Sequence, residues 1–346
     1  MNRMAIPIQN IYYLLSYAWH LLEEDEDIPV SGIPGESELN LLAYLLQKYT
    51  HLLLKKGLAQ QYERTTQTIS GIKGKLAVIA SLQNNALQQG KATCTFETLS
   101  MDNLPNQLIK STILQVIATP GLSEKISTAL KALLPPLKGV RSVRVDPDNL
   151  RNAAAQRFLN PYYYPVLSVC ALLNQNLLPE AGRDAYRFSS FLEDEKQMGK
   201  LFEAFVRNFY TKEQETFRVK SEKISWQLGK AEEDHLQYLP VMVTDVSLTS
   251  ANRKLILDTK FYKNALRPHY DKQKLISGHL YQLFAYLKNQ SVGIENNLVE
   301  GILLYPVVNQ ELDLAYQLSG HKVSIKTINL NQPWPHIKAD LLQIIA

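Results

Sequence analysis

The clearest hydrophobic pattern lies in the second half of the chain. Met198, Leu201, Phe202, Phe205, Val206 and Phe209 recur at i, i+3, i+4, i+7, i+8 and i+11, which predicts an amphipathic helix over 193–213. Extended patterns follow at 216–228, 239–249 and 253–262. A helix at 273–288 places Ile276, Leu280, Leu283, Phe284 and Leu287 on one side, and strands near 299–308, 312–318 and 322–330 lead to a short helix at 335–345. The first half alternates helices at 10–24, 37–56, 105–118, 122–134 and 162–176 with extended stretches at 58–70 and 91–100. Ser37 is placed to cap the second helix and Gly57 to stop it, while Ser70-Gly71-Ile72-Lys73-Gly74-Lys75 reads as a basic, glycine-punctuated turn.

A chain of 346 residues exceeds what one core usually organises, so two domains are expected. Pro135, Pro136, Pro161 and Pro179 break up the middle, and Leu178-Pro179-Glu180-Ala181-Gly182 marks the expected boundary. The fold expected is an α+β N-terminal domain over 1–180 followed by an α/β domain over 181–346, the latter a mixed central sheet flanked by helices. Hydrophobic residues make up 45% and charged residues 20% without a low-complexity tract, which excludes extended disorder. The apolar run Ile11–Leu22 is too short to span a bilayer and runs into Glu23, Glu24, Asp25, Glu26 and Asp27, so it reads as a core helix rather than an anchor or signal. Cys94 and Cys170 lack metal-ligand spacing, pointing to a reducing cytoplasm and no structural zinc.

Charge changes the picture more. The net charge of +4 is spread evenly, with 16 Lys+Arg against 14 Asp+Glu in 1–180 and 21 against 19 in 181–346. A protein gripping DNA by itself carries a stronger basic footprint, because phosphate neutralisation supplies most non-specific affinity. A DNA-acting protein of this composition would need something else to hold the DNA.

The candidate chemistry begins in Lys254-Leu255-Ile256-Leu257-Asp258-Thr259-Lys260-Phe261-Tyr262. In a strand, Asp258 and Lys260 project from one face about 6.6 Å apart, while Leu255, Leu257, Thr259 and Phe261 take the other. A hairpin centred on Ala251-Asn252 makes partner numbers sum to 503 and sets Asp245 opposite Asp258. Two carboxylates so placed repel each other unless a cation lies between them. Mg²⁺ suits the position, since it takes one or two protein carboxylates plus water and phosphate oxygens; Mn²⁺ is the alternative. Such a cation polarises a phosphate and activates water, and Lys260 would position the attacking water or stabilise the pentavalent phosphorus. Glu203 lies on the flank of the 193–213 stripe as a third metal-ligating carboxylate, and Gln282 with Tyr286 forms an i, i+4 pair on the 273–288 helix. Residues 253–274 carry Arg253, Lys254, Lys260, Lys263, Arg267, Lys272 and Lys274 against Asp258 and Asp271.

Each element has an ordinary structural reading as well. Asp258 and Lys260 alone make a surface ion pair on an edge strand, as short D-x-K matches commonly do. Glu203 pairs with Arg207 at i+4, Gln282 is a solvated helix residue, and the basic run is a solvated face. Their order in one compact α/β segment, with helix Glu, strand Asp, strand Asp-x-Lys and helix Gln, favours the catalytic reading.

Glu203, Thr244-Asp245, Leu257-Asp258-Thr259-Lys260 and Tyr281-Gln282-Leu283 resemble the successive motifs of the PD-(D/E)xK nuclease superfamily. The closer resemblance is to the McrC family, the nuclease subunits of McrBC-type modification-dependent restriction systems. It extends through Ile6-Pro7-Ile8-Gln9-Asn10-Ile11-Tyr12-Tyr13-Leu14-Leu15, Gly71-Ile72-Lys73-Gly74-Lys75, Asn106-Gln107-Leu108-Ile109-Lys110-Ser111-Thr112 and Thr327-Ile328-Asn329-Leu330. The resemblance implies a restriction-endonuclease-like fold for 181–346 and a partner, an McrB-like AAA+ GTPase ring that reads modified cytosine in double-stranded DNA. It further implies that residues 1–180 dock in the ring's pore and stimulate GTP hydrolysis, and that DNA is cut when translocating complexes meet. Thr244 stands where the superfamily name has Pro, a mild departure because the aspartate supplies the ligand. The chain has no Walker A loop, so GTP belongs to the partner. The Lys73–Lys75 turn and the Arg141/Arg144 segment are candidate contacts to the ring or plain solvated loops. Two alternatives stay open: a nuclease-inactive adaptor that activates the GTPase, and a self-sufficient nuclease.

Overall fold

The structure is a computed structural model that describes residues 6–21, 37–154, 160–179, 186–229, 233–262, 266–269, 272–290, 299–307 and 311–346. The chain divides into two compact units, Met1–Gly32 with Ser190–Ala346, and Ile33–Ser189. This departs from the expected division into 1–180 and 181–346. The N-terminal helix belongs with the C-terminal unit, and the break falls after Ser189 rather than at 178–182, of which 180–182 lie outside the described residues.

In the Ile33–Ser189 unit, helices Glu38–Lys56, Leu104–Ile117 and Tyr163–Asn176 supply most of the core. Ser37 caps the first by accepting from the Asn40 amide, and Gly57 ends it at φ 96°. Long strands Gln61–Ser70 and Lys91–Ser100 pair antiparallel over their whole length, and Lys75–Leu76 adds to the second. The turn between them needs glycine: Gly74 sits at φ 68°, where a Cβ would come within 2.5 Å of the Thr95 carbonyl oxygen. Gln61–Ser70 is exposed along most of its length, so the ribbon contributes little to the core.

In the other unit, α1 (Ile8–Ala18), α2 (Glu195–Glu213), α3 (Ser277–Gln290) and α4 (Trp334–Ile344) accompany a six-stranded mixed sheet. Its strands are β1 (Arg218–Lys220), β2 (Val246–Thr249), β3 (Lys254–Thr259), β4 (Val299–Pro306), β5 (Asp313–Leu318) and β6 (His321–Ile328), in spatial order β5-β6-β4-β3-β2-β1. The β3-β4 and β4-β6 pairs are parallel and the other pairs antiparallel. The predicted stripe of α2 is buried from Met198 to Phe209, and Phe202 meets Phe261, just beyond β3, with ring centroids 5.8 Å apart. On the opposite sheet face Leu283, Tyr286 and Leu287 of α3 pack with Ile256, Leu303 and Tyr305. Gly301 permits this approach, since a Cβ there would lie 2.9 Å from Leu287 and 3.0 Å from Leu283. The predicted helix 273–288 starts later, at Ser277, because Lys272–Leu275 pairs with Leu266–His269 as a hairpin.

Helix α1 is apolar on most faces and finds its partners far along the chain. Tyr17 packs edge-on to Phe205 and donates to Glu213 at 2.5 Å. The Asn208 amide donates to the carbonyls of Tyr17 and Ala18, satisfying acceptors that a helix end leaves open. Asn10, buried, donates to the carbonyls of Leu330 and Gln332 at 2.8 Å each. Among the described residues no helix is long and apolar enough to cross a membrane. Asn10→Ala is expected to lower the stability of the sheet-containing unit by about 1–3 kcal/mol, since it strands two carbonyls. Urea denaturation with hydrogen exchange resolved by segment checks this, with protection of 37–176 expected to stay unchanged.

Candidate active site

The register between β2 and β3 is the predicted one: Leu257 faces Val246 and Lys254 faces Thr249. Asp245 and Asp258 come next in that register, but β2 begins only at Val246. The Asp245 carboxylate takes over from the missing backbone, its Oδ2 accepting from the Thr259 amide at 2.7 Å and the Thr259 hydroxyl at 2.9 Å. Asp245 is thereby fixed at the end of the β2-β3 ladder with Oδ1 free of hydrogen bonds to the described residues. Lys260 continues the ladder on the other side, its amide donating to the Leu304 carbonyl at 2.9 Å.

Asp258 is fully buried in the middle of this sheet. Its Oδ2 lies 2.8 Å from Lys260 Nζ, yet neither carboxylate oxygen has an aligned hydrogen-bond donor among the described residues. Burial pushes its pKa up to about 7; Lys260 opposes the rise, and Asp245 and Glu203 add to it. Burial works against the charge of Lys260 as well, but Asp258 and then Asp245 outweigh it and hold the ammonium above its usual value. The ammonium also donates to Gln282 Oε1 at 3.0 Å, and Gln282 Nε2 donates to the Tyr286 hydroxyl at 2.7 Å. Lys260 is thus held between a carboxylate on its own strand and an amide from α3.

Glu203 fits both of its sequence readings. It forms the i, i+4 ion pair with Arg207 at 2.8 Å, and the same guanidinium donates to the Asp245 carbonyl at 3.2 Å, which brings Glu203 beside the aspartates. Burial and then Asp245 raise its pKa against the pull of Arg207 and Lys260. The structure therefore gathers Glu203, Asp245, Asp258, Lys260 and Gln282. Of the basic stretch 253–274, the side chains of 263–273 lie outside the described residues.

Sequence reasoning missed Thr259 as the anchor of Asp245 and Arg207 as the link from Glu203 to it. Arg207 carried a signal in its spacing from Glu203; Thr259 carried none, since it lies on the strand face opposite Asp258.

The donor set fits a divalent cation held by few protein ligands. Asp258 offers oxygens without hydrogen-bond donors and Asp245 one free oxygen, the one or two carboxylates that Mg²⁺ commonly takes before phosphate and water complete its shell. Among the described residues no three His, Cys, Asp or Glu side chains converge as a cage, and Glu203 is engaged by Arg207.

A free aspartate loses its proton near 3.8, whereas Asp258 keeps its own up to about 7. Between those values the unfolded chain holds fewer protons than the folded one, so stability falls as pH rises through the window and levels off above it. In EDTA, Asp258→Asn is expected to flatten the fall of the urea midpoint between about pH 5 and pH 7.5. Equal slopes for the two proteins would contradict the burial of this carboxylate.

Comparison with known proteins adds to this geometry. A family model described as "McrBC 5-methylcytosine restriction system component" matches residues 9–306. The Escherichia coli (strain K12) protein named "Type IV methyl-directed restriction enzyme EcoKMcrBC" is 32% identical over 344 residues, 99% of this chain and 98% of the relative. In fold, the chain is similar to one in a solved structure described as "Refined half-complex from tetradecameric assembly of Thermococcus gammatolerans McrB AAA+ hexamers with bound McrC". That likeness has a TM-score of 0.56 at 14% identity and covers 98% of this chain and 76% of that one. By the extent of the family match and the identity to the Escherichia coli relative, this chain belongs to the McrBC family of restriction-system components.

Proposed function

We propose that this protein is the Mg²⁺-dependent DNA endonuclease subunit of a 5-methylcytosine-type restriction complex, with a PD-(D/E)xK active site in its sheet-containing unit. The observation that carries the reading is the buried Asp258, short of hydrogen-bond donors, with Asp245 next in register and Lys260 at 2.8 Å. A bound divalent cation, held by Asp245 and Asp258 with Glu203 nearby, would supply Lewis acidity toward the scissile phosphate. The chain's own groups do the rest. Lys260, 13% exposed, presents a fixed positive charge where negative charge develops on phosphorus. Gln282, itself held by Tyr286, keeps that ammonium from collapsing fully onto Asp258. Hydrolysis forms a bond from a water oxygen to phosphorus and breaks a phosphorus–oxygen bond of the DNA backbone, the leaving oxygen ending with a proton.

The partner in this reading is an McrB-like AAA+ GTPase ring, which binds GTP and reads modified cytosine. It is supported by the McrB hexamers bound to McrC in the Thermococcus gammatolerans assembly and by the modest net charge of +4. The Ile33–Ser189 unit offers the docking surface. Ile72, Val78, Ile79 and Leu82 are all more than half exposed beside the basic turn at Lys73 and Lys75, more apolar surface than a free-standing tip requires. Arg141 is tied to Asp102, which makes it a weaker candidate for the contact. The alternative, an adaptor that activates the GTPase without cutting, has the intact Asp245, Asp258 and Lys260 against it.

Asp258→Ala and Lys260→Ala are expected to abolish cleavage of methylated DNA in the presence of the partner GTPase, GTP and Mg²⁺, while stimulation of GTP hydrolysis persists. Replacing Ile72 and Ile79 by Asp should do the reverse, lowering GTPase stimulation at unchanged folding. Wild-type cleavage by either site variant would rule out the active site proposed here.

A further inference from the structure

The two oxygens of the Asp245 carboxylate are held differently. Oδ2 accepts twice from one residue, from the Thr259 amide at 2.7 Å and from the Thr259 hydroxyl at 2.9 Å. An amide N–H only donates and a carboxylate oxygen only accepts, so the direction of the first bond is fixed. That amide is one the β2-β3 ladder would have satisfied had β2 begun a residue or two earlier. Oδ2 therefore stands in for strand backbone, and releasing it strands a main-chain donor beside a buried side chain. The hydroxyl adds a second hold that the ladder does not require. Arg207 meanwhile donates to the Asp245 carbonyl at 3.2 Å, which fixes the main chain of the same residue from α2. Oδ1 alone is left without a partner among the described residues.

Asp258 shows a similar division, imposed by charge. Lys260 Nζ lies 2.8 Å from its Oδ2, and an ammonium there repels a metal cation from that oxygen. Each aspartate thus offers a cation one oxygen more readily than two. Cations differ in what they can make of this. Mg²⁺ accepts single carboxylate oxygens, because water and phosphate complete its tight octahedron, whereas Ca²⁺ takes about six to eight oxygens and commonly gathers them through bidentate carboxylates. We infer that Thr259 is a specificity-determining residue of the metal site: its hydroxyl, by holding Oδ2 of Asp245 a second time, confines that aspartate to one-oxygen ligation and so favours Mg²⁺ over Ca²⁺. For Ca²⁺ to gain the second oxygen, both Thr259 bonds must be given up; without the hydroxyl only one must. This rests on the nuclease reading, and the test separates the two.

Mn²⁺ binding to the full chain, read by loss of the free-ion electron paramagnetic resonance signal, serves as the probe, with Mg²⁺ and Ca²⁺ titrated in as competitors. Thr259→Val keeps the branched shape and the amide but not the hydroxyl. It is expected to raise the affinity for Ca²⁺ relative to Mg²⁺ by roughly tenfold, the size of one hydrogen bond to a charged group. Thr259→Ala removes the same hydroxyl with a smaller side chain and should show the same shift, which guards against misfolding of the valine variant. Thr259→Ser retains the donor and should keep the wild-type ratio. A general loosening of the strand end would weaken both cations alike and leave the ratio unmoved. An unchanged ratio in Thr259→Val or Thr259→Ala, or a shifted one in Thr259→Ser, overturns the role of Thr259. Wild-type affinity in Asp258→Asn, or no Mn²⁺ binding by the wild-type chain, overturns the metal-site reading itself and this inference with it.

Discussion

An aspartate fully enclosed between helix and sheet resists ionisation, and much of the Ser190–Ala346 architecture is arranged around tolerating Asp258. One pleat further on, Lys260 supplies the opposite charge, and Gln282 draws on the same ammonium from across the sheet face. The balance is left incomplete, because a buried ion pair gains its full worth only when the remaining lone pairs find donors, and those of Asp258 do not. A core built for stability alone would place an apolar residue here. The unsatisfied carboxylate is kept at the expense of the free protein's stability, which is what the proposed metal site asks of it.

The apolar layers position that charge. Helix α2 packs its Met198–Phe209 stripe against one side of the sheet, and α3 lies close over the other because Gly301 has no side chain to hold it off. Gln282 and Tyr286 thus stand on a helix seated by Leu283 and Leu287. The same helix carries the site's polar groups and the core's apolar ones, so the position of Lys260 is tied to the packing of the unit.

Much of this was legible in the sequence because it depended on local rules. The 503 register followed from a single hairpin, and the α2 stripe from a 3.6-residue period. The 91–100 strand has its predicted bounds, as does the Ser37–Gly57 frame of the first long helix. What escaped the sequence depended on distant partners. The apolar run of α1 announces burial but does not say that Phe205, Phe209 and Trp334 will surround Tyr17. The domain boundary was therefore misplaced. Thr259 could not be read as the anchor of Asp245, because that bond exists only where β2 starts one residue after Asp245.

The attachment of α1 to the far end of the chain also orders events during synthesis. Asn10 waits for Leu330, 320 residues later, and at about 5–20 residues per second that interval is roughly 15–65 s on the ribosome. The 33–189 segment emerges whole in the meantime, whereas the unit bearing Asp245, Asp258 and Lys260 closes only as the last helix is made. A truncated chain therefore lacks the closed unit that holds its carboxylates in place, so the candidate site forms only once synthesis has passed Leu330.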